Sequence, residues 1–114
     1  HINIEGYPNE FSQVILNILN NAKDAFEANE ISDRKVKISI HKKKRKNIIS
    51  IEDNAGGIKD KILDKIFDPY FTTKHQSAGT GLGLYMSKMI VEKNMDGHLE
   101  VKTWPGGTRF DIIL

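Results

Sequence analysis

The sequence has no cysteine among its 114 residues, which excludes disulfides and thiolate metal sites. No apolar run is long enough to span a bilayer or to form a signal peptide. Charge of one sign is not in large excess either, because 17 basic and 15 acidic residues leave a formal net charge of +2. We therefore predict a cytoplasmic protein with no nucleic-acid partner and no direct membrane contact.

Size and composition predict one globular domain. A chain of 114 residues can enclose one hydrophobic core, and 39% apolar with 28% charged residues shows no bias toward disorder, collagen or coiled coil. The chain starts at His1 inside a predicted extended segment and without an initiator methionine. We expect one monomeric domain over residues 1–114 that is a piece of a longer protein.

Hydrophobic periodicity and turn residues predict the order of the elements. The first half of the chain is predicted to form a strand over 1–5, a helix over 9–29 capped by Asn9, and a hairpin whose strands lie near 36–40 and 49–51 on either side of a basic turn over 42–46. A helical segment over 59–67 and a mobile loop over 70–78 follow. The last predicted elements are a helix over 82–90 ended by Gly97 and two strands over 98–104 and 108–114. The basic turn is interpreted as a solvated surface rather than a nucleic-acid patch. Because consecutive strands meet in hairpins, we predict an α+β two-layer sandwich with a mixed, largely antiparallel sheet and about three helices on one face.

One face of the first predicted helix carries Asn17, Asn20, Asn21 and Asp24. At about 100° per residue these side chains share an arc across from the apolar stripe. Asn and Asp lower helix propensity relative to Ala, so their concentration indicates a ligand, and amide oxygens suit a Mg²⁺ ion that already carries phosphates and waters. An indifferent polar face is the alternative.

Two polar residues are predicted to point toward the core. Asp53 follows Ile49 and Ile51 at the strand period of two, and Thr108 shares a strand face with Phe110. A buried carboxylate needs a hydrogen-bond donor, and the exocyclic amino group of adenine would supply one. The alternatives are an aspartate that caps its own turn and an ordinary core threonine.

The segment GTGLGL, residues 79–84, stands immediately before a predicted helix. Glycines let backbone N–H groups approach an anion, and a helix N-terminus favours phosphate. The spacing fits neither a Walker loop nor a dinucleotide fingerprint. The segment is a candidate phosphate cradle, with an ordinary flexible turn as the alternative.

Five segments occur in one order: NILNNAKDAF, DNAGGI, IFDPYFTTK, GTGLGL and GGTRF. In that order they closely resemble the N, G1, F, G2 and G3 boxes of the histidine-kinase ATP-binding domain, a branch of the superfamily that includes gyrase, mismatch-repair ATPases and heat-shock chaperone ATPases. The resemblance covers about Glu5 to Leu114 and implies the Bergerat ATP-binding fold. The chain departs from the pattern at Ala55, where a glycine is common, and at Asp24, which resembles a nitrogen-regulatory-type subgroup.

The resemblance implies a site for ATP and Mg²⁺. It makes Asn21 the magnesium ligand and, with Lys74, a catalytic residue, and it makes Asp53 the acid that recognises adenine. The other residues that the resemblance places around the nucleotide are Asn17, Asp24, Gly57, Ile58, Phe67, Phe71, Gly79, Thr80, Gly81, Leu82, Gly83, Leu84 and Thr108.

The resemblance also implies transfer of the γ-phosphoryl group to a histidine on a separate dimerisation and phosphoacceptor domain, in a two-component system with a response regulator. Hydrolysing relatives carry a general-base glutamate where this chain has Asn17, whose amide has no useful proton affinity. None of the chain's own histidines (His1, His41, His75 and His98) lies in a helical phosphoacceptor setting. Two alternatives stay open: a serine-directed kinase or anti-sigma-type regulator, and a non-catalytic nucleotide-sensing module.

Overall fold

The computed structural model describes residues 8–71 and 82–114. In chain order the elements are α1 (Pro8–Ala28), β1 (Val36–Lys43), β2 (Lys46–Asp53), α2 (Asp60–Leu63), α3 (Gly83–Met89) continued by a π-helical segment (Ile90–Asn94), β3 (His98–Trp104) and β4 (Gly107–Ile113). The strands form one antiparallel sheet in the order β1-β2-β4-β3. The predicted two-layer α+β sandwich is confirmed, whereas the strand over 1–5 and most of the loop over 70–78 lie outside the described residues.

Helix α1 begins at Pro8 and ends at Ala28. The prediction that Asn9 caps this helix is wrong, because Asn9 already lies inside the helix. Proline suits the first helical position, so the helix starts one residue earlier, at Pro8. At the other end Glu30 takes a positive φ of 53°, and the N–H of Ile31 donates to the carbonyl of Phe26 at 3.0 Å. Ile31 also packs against Phe26, so a left-handed residue and an apolar contact close the helix without a glycine.

The helices cover one face of the sheet, and the hydrophobic core lies between the two layers. Helix α1 contributes Val14 and Ile18, and the two central strands contribute the inward side chains of Ile49, Ile51 and Phe110. Full burial of a large apolar side chain contributes about 1.5–3 kcal/mol to the stability of the folded state. The complete buried cluster is Val14, Ile18, Ile49, Ile51, Ile66, Ile90, Val91, Leu99, Phe110 and Ile112.

Strand β1 forms one edge of the sheet and leaves its apolar side chains exposed. Ile38 and Ile40 pair with the buried Ile51 and Ile49 and so share their face, yet they are 51% and 53% exposed. Among the described residues no helix extends far enough to cover this edge. The alternation of Ile38 and Ile40 therefore shows which face of the sheet they are on, but it does not show whether a helix covers that face.

The basic tract of residues 42–46 is mostly strand rather than turn. β1 runs to Lys43 and β2 starts at Lys46, so only Lys44 and Arg45 form the turn. Lys44 has a φ of 58°, as short hairpin turns between twisted strands require. The prediction of a longer basic turn is thus corrected, and the strands are longer than expected.

Two further boundaries differ from the sequence prediction. In the segment over 59–67 only Asp60–Leu63 is helical. The left-handed residue after the π-helical segment is Asp96, with a φ of 53°, rather than Gly97. Gly97 is needed for space, because a Cβ there would lie 2.4 Å from the carbonyl oxygen of Ile113. Within the described ranges, no helix is long and apolar enough to cross a membrane.

Candidate functional site

Asp53 ends β2 with its carboxylate on the helix-covered face of the sheet, and the residue is 8% exposed. Its Oδ1 accepts the N–H of Ala55 at 2.9 Å, and its carboxylate also accepts the N–H of Thr108, the residue opposite it on β4. Burial raises the pKa of Asp53 above its ordinary value of 3.8, and these two N–H groups only partly offset the cost of burial. Asp53 therefore both caps its own turn and carries a carboxylate inward.

Thr108 is 4% exposed and faces the same side as Asp53, as the strand period predicted. Its hydroxyl lies 3.4 Å from the hydroxyl of Thr103, which is opposite it on β3. The ends of three neighbouring strands thus bring a buried carboxylate and two hydroxyl groups together.

The loop after β2 approaches the end of β3 closely because two of its residues are glycines. Gly56 and Gly57 have positive φ values of 107° and 77°. A Cβ on Gly57 would lie 2.2 Å from the carbonyl oxygen of Trp104, so only glycine fits there. The next N–H, that of Ile58, donates to the hydroxyl of Thr103 at 2.8 Å. Gly57 therefore permits, and Thr103 fixes, the contact between this loop and β3.

The C-terminal half of α1 is attached to the same loop. Ala55 is 1% exposed and packs with Ala22 and Phe26 of α1. Asn29 donates its side-chain N–H to the carbonyl of Ala55 at 2.5 Å. In this loop the residues with positive φ are Gly56 and Gly57, and Ala55, the departure from the family pattern, is not one of them. Alanine at this position therefore fills a packing role without backbone strain.

The N-terminal half of α1 is attached to α3. The side-chain amide of Asn17 donates to the carbonyl of Gly83 at 3.2 Å and to the hydroxyl of Ser87 at 3.1 Å. Ser87 is fully buried and donates in turn to Gly83 at 2.9 Å. The Asn17 oxygen accepts a hydrogen bond from Gln13 at 2.7 Å. The start of α3 is thus joined to the asparagine face of α1.

Asn21 lies one turn after Asn17 on α1, between the residues that contact α3 and those that contact the loop after β2. Asn17, Asn21 and Asp24 are half-buried, whereas Asn20 is exposed. The predicted asparagine face therefore divides into three half-buried side chains on the site side and one in solvent.

The remaining described site residues pack against the hydrophobic core or lie at the start of α3. Phe67 packs edge-on against Phe110 with ring centroids 6.3 Å apart, and the Lys88 ammonium lies 4.8 Å from the Phe67 ring. Leu82 precedes α3, whose first residue is Gly83. Three others are half-buried against the main core, namely Ile58, Phe71 and Leu84. Lys74, Gly79, Thr80 and Gly81 lie outside the described residues, as do His1 and His75.

Three positioning residues were not predicted from the sequence: Asn29, Ser87 and Thr103. Each forms a hydrogen bond to a residue far along the chain, at separations of 26, 70 and 45 residues. No local pattern distinguishes such residues from ordinary helix-end, helix and strand positions. Their roles become visible only in the assembled fold.

A separate recess of about 470 Å³ lies on the opposite, helix-free face of the sheet. Its lining residues are Lys37, Ser39, His41, Lys43, Ile48, Ser50, Glu52, Glu100, Lys102, Arg109, Asp111 and Ile113. None of the predicted nucleotide-site residues within 8–71 and 82–114 lines it. Strand side chains alternate between faces, and Asp53 and Thr108 point the other way. In its centre Asp111 accepts a hydrogen bond from Ser50 at 2.7 Å and pairs with Arg109 at 3.1 Å.

Residues 6–114 match the family described as histidine kinase-, DNA gyrase B- and HSP90-like ATPase. The chain is 36% identical to the two-component sensor PprA of Pseudomonas aeruginosa over 114 residues, which are 97% of the chain and 12% of PprA. It is 43% identical to the signal transduction histidine-protein kinase AtoS of Escherichia coli over 104 residues, 90% of the chain and 16% of AtoS. It is 32% identical to the sensory histidine kinase/phosphatase NtrB of Klebsiella oxytoca over 114 residues, 94% of the chain and 32% of NtrB.

The catalytic domain of histidine kinase ThkA superposes with a TM-score of 0.82 at 30% identity, over 97% of this chain and 69% of that one. The antiparallel sheet and its covering helices therefore define a domain of the histidine-kinase catalytic type. The chain belongs to the histidine kinase-, DNA gyrase B- and HSP90-like ATPase family. It spans about a third or less of the curated relatives described here.

Proposed function

We propose that this chain binds Mg-ATP between α1 and the β2–β4 strand ends and donates the γ-phosphoryl group to a histidine on a separate phosphoacceptor domain. One observation carries the proposal: the carboxylate of Asp53 is held inward, beside Thr108 and beside a loop that Gly57 brings against β3. The domain would act as the ATP-binding part of a longer two-component kinase with a cognate response regulator. Its cytoplasmic location and monomeric state stay predictions.

The residues around Asp53 fit a purine that carries an exocyclic amino group. A carboxylate offers about four acceptor positions, and the two N–H groups of Ala55 and Thr108 occupy only part of them. A donor from the base would satisfy the remaining capacity of a buried carboxylate that is costly to leave unpaired. The backbone of the Gly56–Gly57 loop, which Thr103 holds against β3 through Ile58, would lie beside the base.

The asparagine face of α1 fits the phosphate end of the nucleotide. Asn21 would hold the Mg²⁺ that arrives with ATP, and Asn17 and Asp24 would line the phosphates. Among residues 8–71 and 82–114, no three His, Cys, Asp or Glu side chains cluster closely enough to hold a metal. An ion at Asn21 would therefore depend on phosphate oxygens and water for its other ligands. Once bound, it would supply charge neutralisation at the transferred phosphoryl group.

Asn17 supports phosphoryl transfer to a separate acceptor rather than hydrolysis. An amide cannot act as a general base, and the Asn17 amide already donates to Gly83 and Ser87. Water in the site would then have no proton acceptor at this position. A kinase needs chiefly positioning and charge stabilisation on this side, because the acceptor histidine supplies the nucleophile.

The serine-directed and non-catalytic alternatives receive no support from the comparisons, since the curated relatives described here are named as sensor kinases. In these proteins the aligned segment is a minor part of the chain, which leaves room for a phosphoacceptor domain. The described histidines of this chain, His41 and His98, are exposed on strands β1 and β3. Neither occupies a helix from which it could present its ring as an acceptor.

Two experiments test the proposal in sequence. Calorimetric titration with ATP should detect binding that weakens when Mg²⁺ is replaced by a chelator. The chain should then be incubated with labelled ATP, with and without a dimerisation and phosphoacceptor domain from a relative such as NtrB. Acid-labile label should appear on the added domain and depend on its histidine. Stable label on a histidine of this chain alone, or on a serine of the partner, would contradict the proposed transfer.

A further inference from the structure

The structure assigns a positioning role to Thr103 of β3, a residue that does not belong to any predicted box. We propose that Thr103 directs the hydroxyl of Thr108 so that the base site offers only acceptors, and that it thereby selects a 6-aminopurine over a 6-oxopurine. This inference rests on the proposed function, because it concerns the specificity of the same nucleotide site.

The Thr103 hydroxyl has a limited hydrogen-bond capacity. A threonine hydroxyl has one hydrogen to donate and two lone pairs that accept. Thr103 Oγ1 accepts the N–H of Ile58 at 2.8 Å and donates to the carbonyl of Gly107 at 3.0 Å. The single hydrogen of Thr103 is therefore committed to Gly107, and one lone pair remains.

This remaining lone pair decides the direction of the contact with Thr108. The two hydroxyl oxygens are 3.4 Å apart, and geometry alone lets either one donate. Because the Thr103 hydrogen has a nearer acceptor in the Gly107 carbonyl, Thr108 is the donor in this contact. The lone pairs of Thr108 are left for a ligand.

The result is that the Thr108 hydroxyl and the Asp53 carboxylate both present acceptors to the base. Thr108 shares a strand end with the Asp53 carboxylate, which has no hydrogen to donate when ionised. An amino group at position 6 of a purine can donate to such a pair, whereas a 6-oxo group would face it with a lone pair of its own. The cost of an unpaired or repelled polar group inside a site is the usual basis of strong discrimination.

Thr103 has a second effect through Ile58. It fixes the N–H that follows Gly56 and Gly57, two residues whose lack of a Cβ gives the backbone a wide choice of conformations. The loop that carries the base contact is thus attached to β3 by the same hydroxyl that orients Thr108. Loss of this hydroxyl should loosen the loop and release the Thr108 hydrogen together.

The test compares ATP with ITP, its 6-oxo counterpart, in the presence of Mg²⁺. Thr103→Val keeps the shape and the branched Cβ but removes the hydroxyl, and Thr103→Ser restores the hydroxyl. Val101→Ala serves as a control, since Val101 packs against the core from the same strand and contacts the core rather than the base site. Dissociation constants for both nucleotides and the melting temperature are measured for each protein.

We expect the wild type to prefer ATP, and Thr103→Val to reduce the ATP-to-ITP preference about tenfold, which corresponds to one redirected hydrogen bond. Thr103→Ser should keep the preference, and Val101→Ala should lower the melting temperature without changing the preference. An unchanged preference in Thr103→Val would overturn the role of Thr103 while leaving the proposed function intact. A wild type that binds neither nucleotide would overturn both.

Amide hydrogen exchange of the wild-type protein gives a measurement that does not depend on a variant folding. The N–H of Ile58 should exchange markedly more slowly than that of Gly57, because Thr103 accepts it. Exchange at Ile58 as fast as at an unprotected amide would overturn the proposal.

Discussion

Replacement of Asp53 by Asn should separate the stability of the free domain from its affinity for ATP. The carboxylate is 8% exposed, and burial raises its pKa above 3.8. Asp53→Asn keeps the size of the side chain and an oxygen that can accept the N–H group of Ala55. The variant no longer has to ionise inside the protein, so the cost of burying a charge disappears while the hydrogen bond from Ala55 remains.

The sign of the pH dependence follows from the direction of the shift. In the unfolded chain Asp53 loses its proton near pH 3.8, whereas in the folded domain it keeps the proton to a higher pH. Between these values the unfolded state binds fewer protons, so the free energy of unfolding falls as the pH rises. Asp53→Asn has no carboxyl group at this position, so its free energy of unfolding does not undergo this decrease. Its free energy of unfolding relative to wild type should therefore rise from acid toward neutral pH and then become constant.

Binding of ATP should change in the opposite direction. A hydrogen bond from the base to a charged acceptor contributes about 1.5–3 kcal/mol, which corresponds to a loss of about 10- to 100-fold in affinity when the charge is removed. In the wild type the affinity should increase with pH through the raised pKa of Asp53, because the ionised form is the better acceptor. The same dependence should be absent from Asp53→Asn.

Urea unfolding between about pH 4 and about pH 7 measures the first effect, and calorimetric titration with Mg-ATP measures the second. Asp111→Asn is a matched control, because Asp111 is equally buried but lies on the opposite face of the sheet, bonded to Ser50. It should leave the affinity for ATP unchanged. The reasoning would be refuted if Asp53→Asn bound ATP as wild type does, or if its relative stability decreased toward neutral pH.

Other substitutions probe the remaining parts of the site. Asn21→Ala should reduce the affinity for Mg-ATP about tenfold or more and leave magnesium-free binding nearly unchanged, as titrations with and without a chelator would reveal. Gly57→Ala should lower the free energy of unfolding in urea by at least about 2 kcal/mol, because the new Cβ would lie 2.2 Å from the Trp104 carbonyl oxygen. Gly106→Ala is the control: its new Cβ would lie 3.7 Å from its nearest neighbour, so the loss should be under about 0.5 kcal/mol. Asn17→Asp should cost about 1–3 kcal/mol at neutral pH, since a carboxylate cannot donate the two hydrogen bonds that the amide gives to α3, and acidification should recover part of the loss.

Strand faces were predictable from the sequence because their cause is local. Two isoleucines at period two identified the buried side of β2, and Asp53 had to follow them to that side. The same reasoning placed Thr108 on the face of Phe110. By contrast, the isoleucines of β1 have the same alternation but remain about half exposed, since exposure depends on where the covering helices end. Alternation therefore predicts orientation, whereas cover depends on the other layer.

Helix and turn boundaries were less predictable because residues with similar local preferences compete for them. Asn9 and Pro8 are both suited to a helix start, and the helix includes both. Asp96 takes the left-handed conformation expected of Gly97, and Gly97 is reserved for the close approach to Ile113. A glycine can be required for its backbone freedom or for its lack of a Cβ, and the sequence alone does not distinguish these two needs.

The candidate site is a property of the assembled fold rather than of its boxes alone. The asparagine face lies on α1, and the carboxylate lies at the end of β2. Helix α1 is attached at one half to α3 through Asn17, and Asn29 just after its end bonds to Ala55, so these contacts fix the position of α1 relative to the loop after β2. If α1 shifted along its axis, Asn21 would move relative to Asp53, and the single nucleotide that we propose to bind both would no longer reach them. Asn17, which the sequence assigned to the ligand, and Asn29, which it did not identify, therefore also fix the position of α1 in the fold.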